Sequence, residues 1–287
     1  MIRYAKPKTV EEALGLLTEG RWRILAGGTD FYPAQGARPV RDNVLDINGL
    51  SELRGIAETP HHWSFGARTT WTDVVRAKLP SAFDALRQAA REVGSVQIQN
   101  VGTIAGNLCN ASPAADGVPP LLVLDADLEL RSLAGARHLP LQAFILGNRK
   151  TARRDDELLT AIRVPKRCVA GNSAFVKLGA RRYLVISIAM AAARLELSAD
   201  GTLTRAAIAV GSCSAAARRL IGLEAALAGL RPGEEFAEAI RDAPLSELMP
   251  IDDVRGTAEY RIEAAREIVL RALEATARPE SSERRAA

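Results

Sequence analysis

Two short stretches of small polar residues, each next to an apolar run, constrain the fold of this chain most. The first, LAGGTD at 25–30, follows alternating apolar residues at 21–26. The second, VGTIAGNLCNASPAAD at 101–116, lies just ahead of PPLLVLDADLEL. Glycines permit positive φ and remove side chains, so successive backbone N–H groups can converge on an anion. Each stretch alone is equally consistent with a tight turn or a polar connection.

Side chains in the two stretches add hydroxyl, amide and carboxylate groups to these backbone donors. The groups that suit a diphosphate and the neighbouring sugar hydroxyls belong to Thr29, Thr103, Asn107, Asn110 and Asp116. The first stretch does not match the GxGxxG pattern of Rossmann dinucleotide sites, so that mechanism is not indicated. We therefore expect an anion site whose construction differs from that of a Rossmann dinucleotide site.

Composition excludes several other functional classes. The chain has 287 residues, is 47% hydrophobic and 25% charged, and carries a net charge of +4, as expected for a globular protein with a real core. This balance gives no strong electrostatic case for binding nucleic acid or an acidic membrane. The N-terminus shows no apolar signal region, and the apolar stretch 184–197 is too short to span a bilayer. We expect a cytoplasmic protein.

The few reactive side chains are scattered. The cysteines Cys109, Cys168 and Cys213 form no CxxC pair, which argues against a disulfide framework, a zinc site or an iron–sulfur cluster bound by this chain alone. Cys109 is either a reactive thiol or, the favoured interpretation, a small buried residue. The run RRDD at 153–156 is either a partner or cofactor contact or, again favoured, a solvated loop. No metal ligands are predicted, because His61-His62 has no third ligand.

Periodicity predicts the elements. Thr9-Val-Glu-Glu12 reads as a capping box that begins a helix, and the first 56 residues resemble a small α/β unit. Helices are predicted at 10–17, 70–79, 81–93, 215–230 and 258–275. Strands are predicted at 21–26, 43–47, 126–132, 137–141 and 157–164. The segments 174–178, 186–197 and 204–210 are predicted to be strands or a mixture of strand and helix. An Asp-Gly pair in Ser198–Gly201 indicates a hairpin, and 101–116 is expected to be a loop.

Together the two stretches are far more specific than either alone. AGGTD, then NVGTIAGN followed by ASPAAD, resembles the double signature of the FAD-binding subunit of molybdenum hydroxylases. This family includes xanthine dehydrogenase, carbon monoxide dehydrogenase and 4-hydroxybenzoyl-CoA reductase. FILG at 144–147 with ELLT at 157–160 fits the family pattern before its third domain, and FVKLGARR at 175–182 resembles the opening of that domain. The resemblance covers nearly the whole chain and indicates the family rather than the substrate.

The resemblance implies an α+β fold. Two α/β subdomains of the vanillyl-alcohol oxidase (PCMH) type would clasp FAD, followed by a C-terminal domain with a three-stranded sheet and helices. The implied boundaries place the FAD-binding subdomains at 1–57 and 58–168, the C-terminal domain at 169–278 and a mobile tail at 279–287.

The resemblance also implies the residues that contact FAD. They are Leu25, Ala26, Gly27, Gly28, Thr29, Asp30, Phe31 and Tyr32 on one side, and Gly102, Thr103, Ile104, Ala105, Gly106, Asn107, Asn110, Asp116, Leu159 and Lys177 on the other. Lys177 is, from the sequence alone, equally consistent with a surface lysine. Two residues depart from the family pattern. Ala105 replaces a glycine and is tolerable only if its φ is negative, and Gln99 replaces an arginine.

The implied function is electron transfer. Such a subunit passes electrons between [2Fe–2S] clusters of a small partner chain and an external acceptor or donor, and a large partner chain holds the molybdenum–pterin cofactor. The family often forms dimers of heterotrimers. The scattered cysteines argue against an additional [4Fe–4S] insertion, and no catalytic acid or base is assigned. Two alternatives stay open: a self-sufficient FAD-dependent oxidoreductase, and a flavin-free structural or regulatory subunit.

Overall fold

A three-stranded parallel sheet organises the first structural unit of the protein. The computed structural model describes residues 2–277 of the chain. In chain order this unit contains β1 (Tyr4–Ala5), α1 (Val10–Thr18), β2 (Trp22–Leu25), α2 (Phe31–Gln35) and β3 (Asn43–Asp46). Strand β3 lies between β1 and β2 and is parallel to both. Parallel strands need a crossover connection, and α1 supplies the one between β1 and β2.

The predicted helix at 10–17 is confirmed, together with its capping residue. Thr9 accepts a hydrogen bond from the N–H of Glu12 at 3.2 Å. The Glu12 carboxylate accepts from the N–H of Lys8 at 2.7 Å, one residue earlier than an ideal capping box. The buried face of α1 consists of Val10, Ala13, Leu14 and Leu17, which belong to the same apolar cluster as Trp22 and Leu45 of the sheet.

A five-stranded antiparallel sheet forms the second unit, and its chain path contains a long helical insertion. The strands are β4 (Ile56–Glu58), β5 (His62–Gly66), β6 (Asp127–Ser132), β7 (Gly135–Pro140), β8 (Ile145–Gly147), β9 (Lys150–Thr151) and β10 (Leu158–Pro165). The helices are α3 (Trp71–Arg76), α4 (Asp84–Glu92), α5 (Val96–Val101), α6 (Ile104–Asn110), α7 (Val118–Val123) and α8 (Leu141–Phe144). The sheet order is β4-β5-β10-β6-β7, while β8 and β9 form a separate hairpin. Strand β4 crosses the implied boundary at residue 57 and belongs to this sheet.

The expectation that 101–116 is a loop is wrong for its first half. Residues Ile104–Asn110 form α6, and the Thr103 hydroxyl caps it by accepting from the N–H of Gly106 at 3.0 Å. Helix α5 ends at Val101, two residues before this cap. Glycine and asparagine have low helix propensity, so the sequence signal for α6 is weak, and the cap and tertiary contacts outweigh it.

The third unit is a four-stranded antiparallel sheet covered by helices. Its elements are β11 (Asn172–Leu178), β12 (Ala189–Leu197), β13 (Leu203–Gly211), β14 (Arg218–Arg219), α9 (Ile221–Leu227), α10 (Glu234–Asp242) and α11 (Ala258–Ala277). Three long strands match the expected sheet, and β14 adds a two-residue edge. The helix predicted at 215–230 is wrong in its first part, since Arg218 and Arg219 pair with β13 instead. The Asp-Gly hairpin is confirmed between β12 and β13, with Gly201 at φ +83°.

The sheet of the third unit separates two apolar cores. Successive side chains of a strand point to opposite faces. In β12, Met190 and Ala192 therefore pack in the core of the second unit, whereas Ala191 and Ala193 pack in the core beneath α9, α10 and α11. Small alanines let the sheet approach α7 closely. This packing attaches the third unit firmly to the second.

Two sequence expectations concern the ends of the chain and the membrane. The mobile tail implied at 279–287 lies outside the described residues. Between residues 2 and 277, every helix is too short or too polar to cross a bilayer.

A buried arginine connects the second and third units. Arg194 on β12 donates to the carbonyl oxygens of Val123 (3.0 Å) and Ala170 (3.1 Å) and pairs with Glu196. We predict that Arg194→Leu lowers the free energy of unfolding by about 2–4 kcal/mol, because two carbonyls lose their buried donor. Urea denaturation monitored by circular dichroism measures the change. The control Arg205→Leu, at a half-exposed arginine on β13, should cost about 1 kcal/mol or less. Equal losses of unfolding free energy in the two variants would contradict the role of Arg194 as a buried connection between the units.

Candidate functional site

A cleft of about 580 Å³ lies between the first and second units, within the volume range of ligand sites. The two glycine-containing stretches form opposite walls of this cleft. Thirteen of the eighteen predicted cofactor residues line it: Ala26, Gly27, Gly28, Thr29, Asp30, Phe31, Gly102, Thr103, Ala105, Gly106, Asn107, Asn110 and Leu159. Segments more than seventy residues apart in the chain are thus brought together.

The first wall requires glycine at two positions for different reasons. A Cβ on Gly27 would overlap the carbonyl oxygen of Val101 and lie 2.9 Å from the Cα of Gly102. Gly27 therefore permits close contact between the walls. Gly28 has φ +76°, a conformation that side chains rarely adopt, and a Cβ there would lie 2.7 Å from the Tyr32 ring.

The second wall is fixed by backbone hydrogen bonds between α3 and α6. The N–H of Trp71 donates to the carbonyl of Gly102 at 3.1 Å, and the N–H of Ile104 donates to the carbonyl of Thr69 at 2.9 Å. The caps of the two helices, Thr70 and Thr103, form a bridge between them. Both helices therefore begin side by side at the cleft, and helix N-termini favour anions.

Asn107 offers an acceptor that lacks a protein partner. Its Oδ1 is buried and accepts no hydrogen bond from any residue within 2–277, although Asn107 lines the cleft. Buried polar atoms in proteins almost always have a partner. A ligand with hydroxyl or N–H donors would satisfy this oxygen.

The two departures from the family pattern leave the cleft intact. Ala105 lies inside α6 and is not among the residues with positive φ, so its side chain is tolerated without strain. Gln99 lies on α5 and donates to the carbonyl of Arg91 at 2.9 Å. Neither removes a backbone donor from the walls.

Five predicted residues do not line the cleft. Leu25 and Ile104 are buried behind its walls, and Tyr32 is exposed with its ring against Phe31. Asp116 is buried, the side chain of Lys177 is only 7% exposed, and the two form an ion pair of 2.6 Å. The Asp116 carboxylate also accepts from Ser187 at 2.8 Å. This pair joins the turn after α6 to β11, so the surface-lysine interpretation of Lys177 is wrong.

The sequence analysis missed Arg149 on the β8–β9 hairpin and did not favour a cofactor contact for Arg153 in the loop after it. Arg149 and Arg153 line the cleft, as does Asp155. Arg153 is only partly exposed, contrary to the solvated-loop interpretation, whereas Asp155 is exposed as that interpretation expects. Arg149 adopts φ +58° and its side chain donates to Asn110. The sequence signal for a cofactor contact was the density of arginines in this run. Charge alone does not show whether a loop faces solvent or a cleft.

Glu157 holds this loop in place. Its buried carboxylate accepts from the guanidinium of Arg137 at 2.5 Å and from the N–H of Arg154 at 2.8 Å. Burial opposes ionisation, but these donors outweigh it and hold the pKa of Glu157 below its usual range. The guanidinium of Arg153 donates to the carbonyls of Arg154 and Glu157, both at 2.8 Å. Arg153 is therefore positioned rather than free in solvent.

The interpretation of Cys109 also has to be corrected. It is exposed and lines the cleft, so it is not the small buried residue that was expected. Crowding by the surrounding protein nevertheless raises the pKa of the Cys109 thiol to about 11, which argues against a reactive thiol.

The charges of the cleft suit an anion. In the described part of the chain, its wall contains four arginines (Arg21, Arg23, Arg149 and Arg153) and two aspartates (Asp30 and Asp155). This excess of positive charge, the glycine backbone and the unpartnered Asn107 oxygen fit a diphosphate with attached sugar and ring groups. FAD contains these groups, so the residues present fit this cofactor.

Comparisons with protein families agree with this geometry. Residues 1–167 match the model described as the FAD binding domain in molybdopterin dehydrogenase. Residues 174–276 match the model described as the CO dehydrogenase flavoprotein C-terminal domain.

Curated relatives match over most of their lengths. The carbon monoxide dehydrogenase medium chain of Hydrogenophaga pseudoflava is 30% identical over 280 residues, covering 95% of this chain and 96% of that one. The nicotinate dehydrogenase FAD-subunit of Eubacterium barkeri is 37% identical over 213 residues, covering 71% and 72%.

Solved structures share the fold. A carbon monoxide dehydrogenase from Hydrogenophaga pseudoflava that lacks the Mo-pyranopterin moiety of the molybdenum cofactor superimposes with a TM-score of 0.87 at 31% identity, covering 96% of each chain. Quinoline 2-oxidoreductase from Pseudomonas putida 86 gives 0.87 at 25% identity, covering 96% of this chain and 97% of that one.

Contact between the walls should be essential for FAD binding. We predict that Gly27→Ala raises the dissociation constant for FAD about 10-fold or more, since the added methyl group must push Val101 away. Fluorescence titration of the apoprotein with FAD measures the constant, and melting temperature reports any loss of folding. The control Gly15→Ala, on α1 with open space around it, should keep wild-type affinity. A folded Gly27→Ala protein with wild-type affinity would refute this role.

The positioned arginine should add affinity through its charge. We expect Arg153→Ala to raise the FAD dissociation constant about 10-fold, the typical contribution of a charged hydrogen bond. The control is the neighbouring Arg154→Ala, whose side chain is 71% exposed and absent from the cleft wall. The same titration at low and high salt compares the two variants. Equal FAD affinities of Arg153→Ala and Arg154→Ala would show that Arg153 does not contact the cofactor.

Proposed function

The chain belongs to the family of FAD-binding medium subunits of molybdenum hydroxylases, and from that premise we propose that it is the electron-transfer subunit of such an enzyme. It passes electrons between iron–sulfur clusters of a partner chain and an external acceptor or donor. The observation that supports this most is the cleft, because it joins both glycine stretches around a space suited to FAD.

The residues of the chain bind and orient the cofactor in this proposal. Bound FAD supplies the chemistry of one-electron and two-electron transfer. The backbone at Gly27, Gly28 and the start of α6 holds the diphosphate, with Arg149 and Arg153 adding positive charge. Asn107 accepts a hydrogen bond from the cofactor. No side chain has to act as a general acid or base.

The five predicted residues outside the cleft wall have supporting roles. Leu25 and Ile104 fix the two walls from behind, and Tyr32 limits the space beside Gly28. The Asp116–Lys177 pair holds β11 against the turn that follows α6. All five act on the cofactor through the shape of the site.

The proposal includes two partner chains, a small one with [2Fe–2S] clusters and a large one with the molybdenum–pterin cofactor, assembled as a dimer of heterotrimers. The relative named carbon monoxide dehydrogenase medium chain supports an assembly of several chains. The three cysteines of the chain are fewer than the four thiolates that usually hold a [2Fe–2S] cluster, which is consistent with clusters in a partner.

We predict that the purified chain is yellow and releases one FAD per chain on denaturation. The visible spectrum, followed by chromatographic identification of the released flavin, measures this. The tagged chain should also retain an iron–sulfur chain and a molybdenum chain when the three are co-expressed. A colourless protein that refuses added FAD would refute the cofactor assignment, whereas a yellow protein that turns over substrate without partners would identify a self-sufficient oxidoreductase.

A further inference from the structure

A second groove, of about 890 Å³, lies between the second and third units, and its volume is within the range of small-molecule sites. One side consists of the turn after α6 and the β8–β9 hairpin, and the other of β14, its preceding loop and the segment 243–257. Among the described residues, Arg149 is the one that lines both this groove and the FAD cleft. The groove is therefore a separate space and not an extension of that cleft.

Ser212 lines the groove in a backbone conformation that serine rarely adopts, with φ +64°. Hydrogen bonds hold it there from two sides. Its N–H donates to the carbonyl of Pro113 at 3.0 Å, and its carbonyl accepts from the guanidinium of Arg261 at 3.0 Å. Backbone strain of this kind is concentrated at ligand sites, where the surrounding structure maintains it.

Two buried polar atoms of groove residues have no protein partner. They are the hydroxyl oxygen of Ser212 and Nε of Arg261, and neither forms a hydrogen bond with any residue in the range 2–277. Arg261 is only 3% exposed. Its terminal nitrogens donate to Asp253 and to the carbonyls of Ile188 and Ser212. Because buried donors almost always have an acceptor, the hydroxyl and the Nε–H indicate a ligand with acceptor oxygens.

The groove also has an excess of positive charge. Within the described residues, five arginines and two carboxylates line it: Arg149, Arg218, Arg219, Arg255 and Arg261, with Glu247 and Asp253. Both carboxylates already have partners, since Asp253 pairs with two of these arginines and Glu247 accepts from the N–H of Gly222. Arg218 is exposed and forms no ion pair inside the described range. The charge of the groove therefore favours an anion.

Apolar side chains form another part of the groove lining. Four of them are more than half exposed: Ile186, Ile221, Met249 and Ile251. The N–H of Met249 donates to the carbonyl of Cys213 at 3.0 Å and to the hydroxyl of Ser214 at 2.9 Å, which fixes its backbone. Apolar surface beside a few polar groups is typical of pockets for small organic molecules. A ligand with an apolar body would cover these side chains.

We propose that this groove binds a small organic carboxylate with an apolar body, at a site separate from that of FAD. The two carboxylate oxygens match the two donors that lack a partner, the Ser212 hydroxyl and Nε of Arg261. A phosphate has more oxygens than these two donors satisfy, and the apolar walls offer no others. Arg218 attracts the anion, and the apolar body lies against Met249 and Ile251.

The test uses the full FAD-loaded chain, with benzoate as the carboxylate and benzamide as its uncharged counterpart of similar shape. We expect benzoate to bind with a dissociation constant of about 1 mM or lower, as is typical of a good fragment of this size. Benzamide should bind about 10-fold more weakly, because it lacks the charge that strengthens the two hydrogen bonds. Ligand-observed NMR titration measures both constants, and the visible spectrum checks that FAD stays bound.

Two variants test the residues of the site. Ser212→Gly removes the hydroxyl and suits φ +64°, so it should keep the wild-type melting temperature while benzoate affinity falls about 10-fold. Arg218→Ala should lower benzoate affinity about 3-fold, and the remaining binding should depend less on salt. The matched controls are Ser51→Gly and Arg241→Ala, at exposed positions outside the groove, and both should bind benzoate like wild type.

Four results would overturn the proposal. The first is a wild-type chain that does not bind benzoate, and the second is wild-type benzoate affinity in a folded Ser212→Gly protein. The third is equal or tighter binding of benzamide or of inorganic phosphate, because the groove would then not select an organic carboxylate. The fourth is benzoate binding to the apoprotein but not to the FAD-loaded chain, which would make the groove part of the cofactor site.

Discussion

The close approach of two backbones is the constraint on which the rest of the site depends. The chain at Gly27 lies so close to Val101 and Gly102 that even one methyl group would overlap. This contact sets the distance between the first and second units, and so the width of the cleft between them. Backbone hydrogen bonds from α3 to α6 fix the second wall, because they determine where α6 begins.

The third unit completes the site without lining the FAD cleft. Successive side chains of β12 point to opposite faces of its sheet. One face therefore packs against the core of the second unit, and the other face forms the core of the third unit. The buried Asp116–Lys177 pair then connects this sheet to the turn after α6. A change in that sheet can therefore reach the cofactor site through packing.

The sequence predicted correctly those features of the fold that depend on hydrogen bonds between residues close in the chain. The capping residue Thr9 and the Asp-Gly hairpin are examples, because their hydrogen bonds join residues close in the chain. The pairing of the two stretches required resemblance to a family, since no local rule brings residue 27 next to residue 101. Helix α6 was missed because it contains a glycine and two asparagines, which form helices poorly, and because its start is set by Thr103 and by a contact with Thr69. Arg149 was missed because its role depends on a hairpin whose position tertiary packing determines.

The central claim is that FAD is held between the two glycine-containing stretches at once. Hydrogen–deuterium exchange of the full chain, with and without FAD, measures this directly because it reports protection of individual backbone segments. The account predicts that FAD slows exchange in residues 26–32 and in 102–110 together, with little change in α11. Protection of only one stretch, or of neither, would contradict the claim.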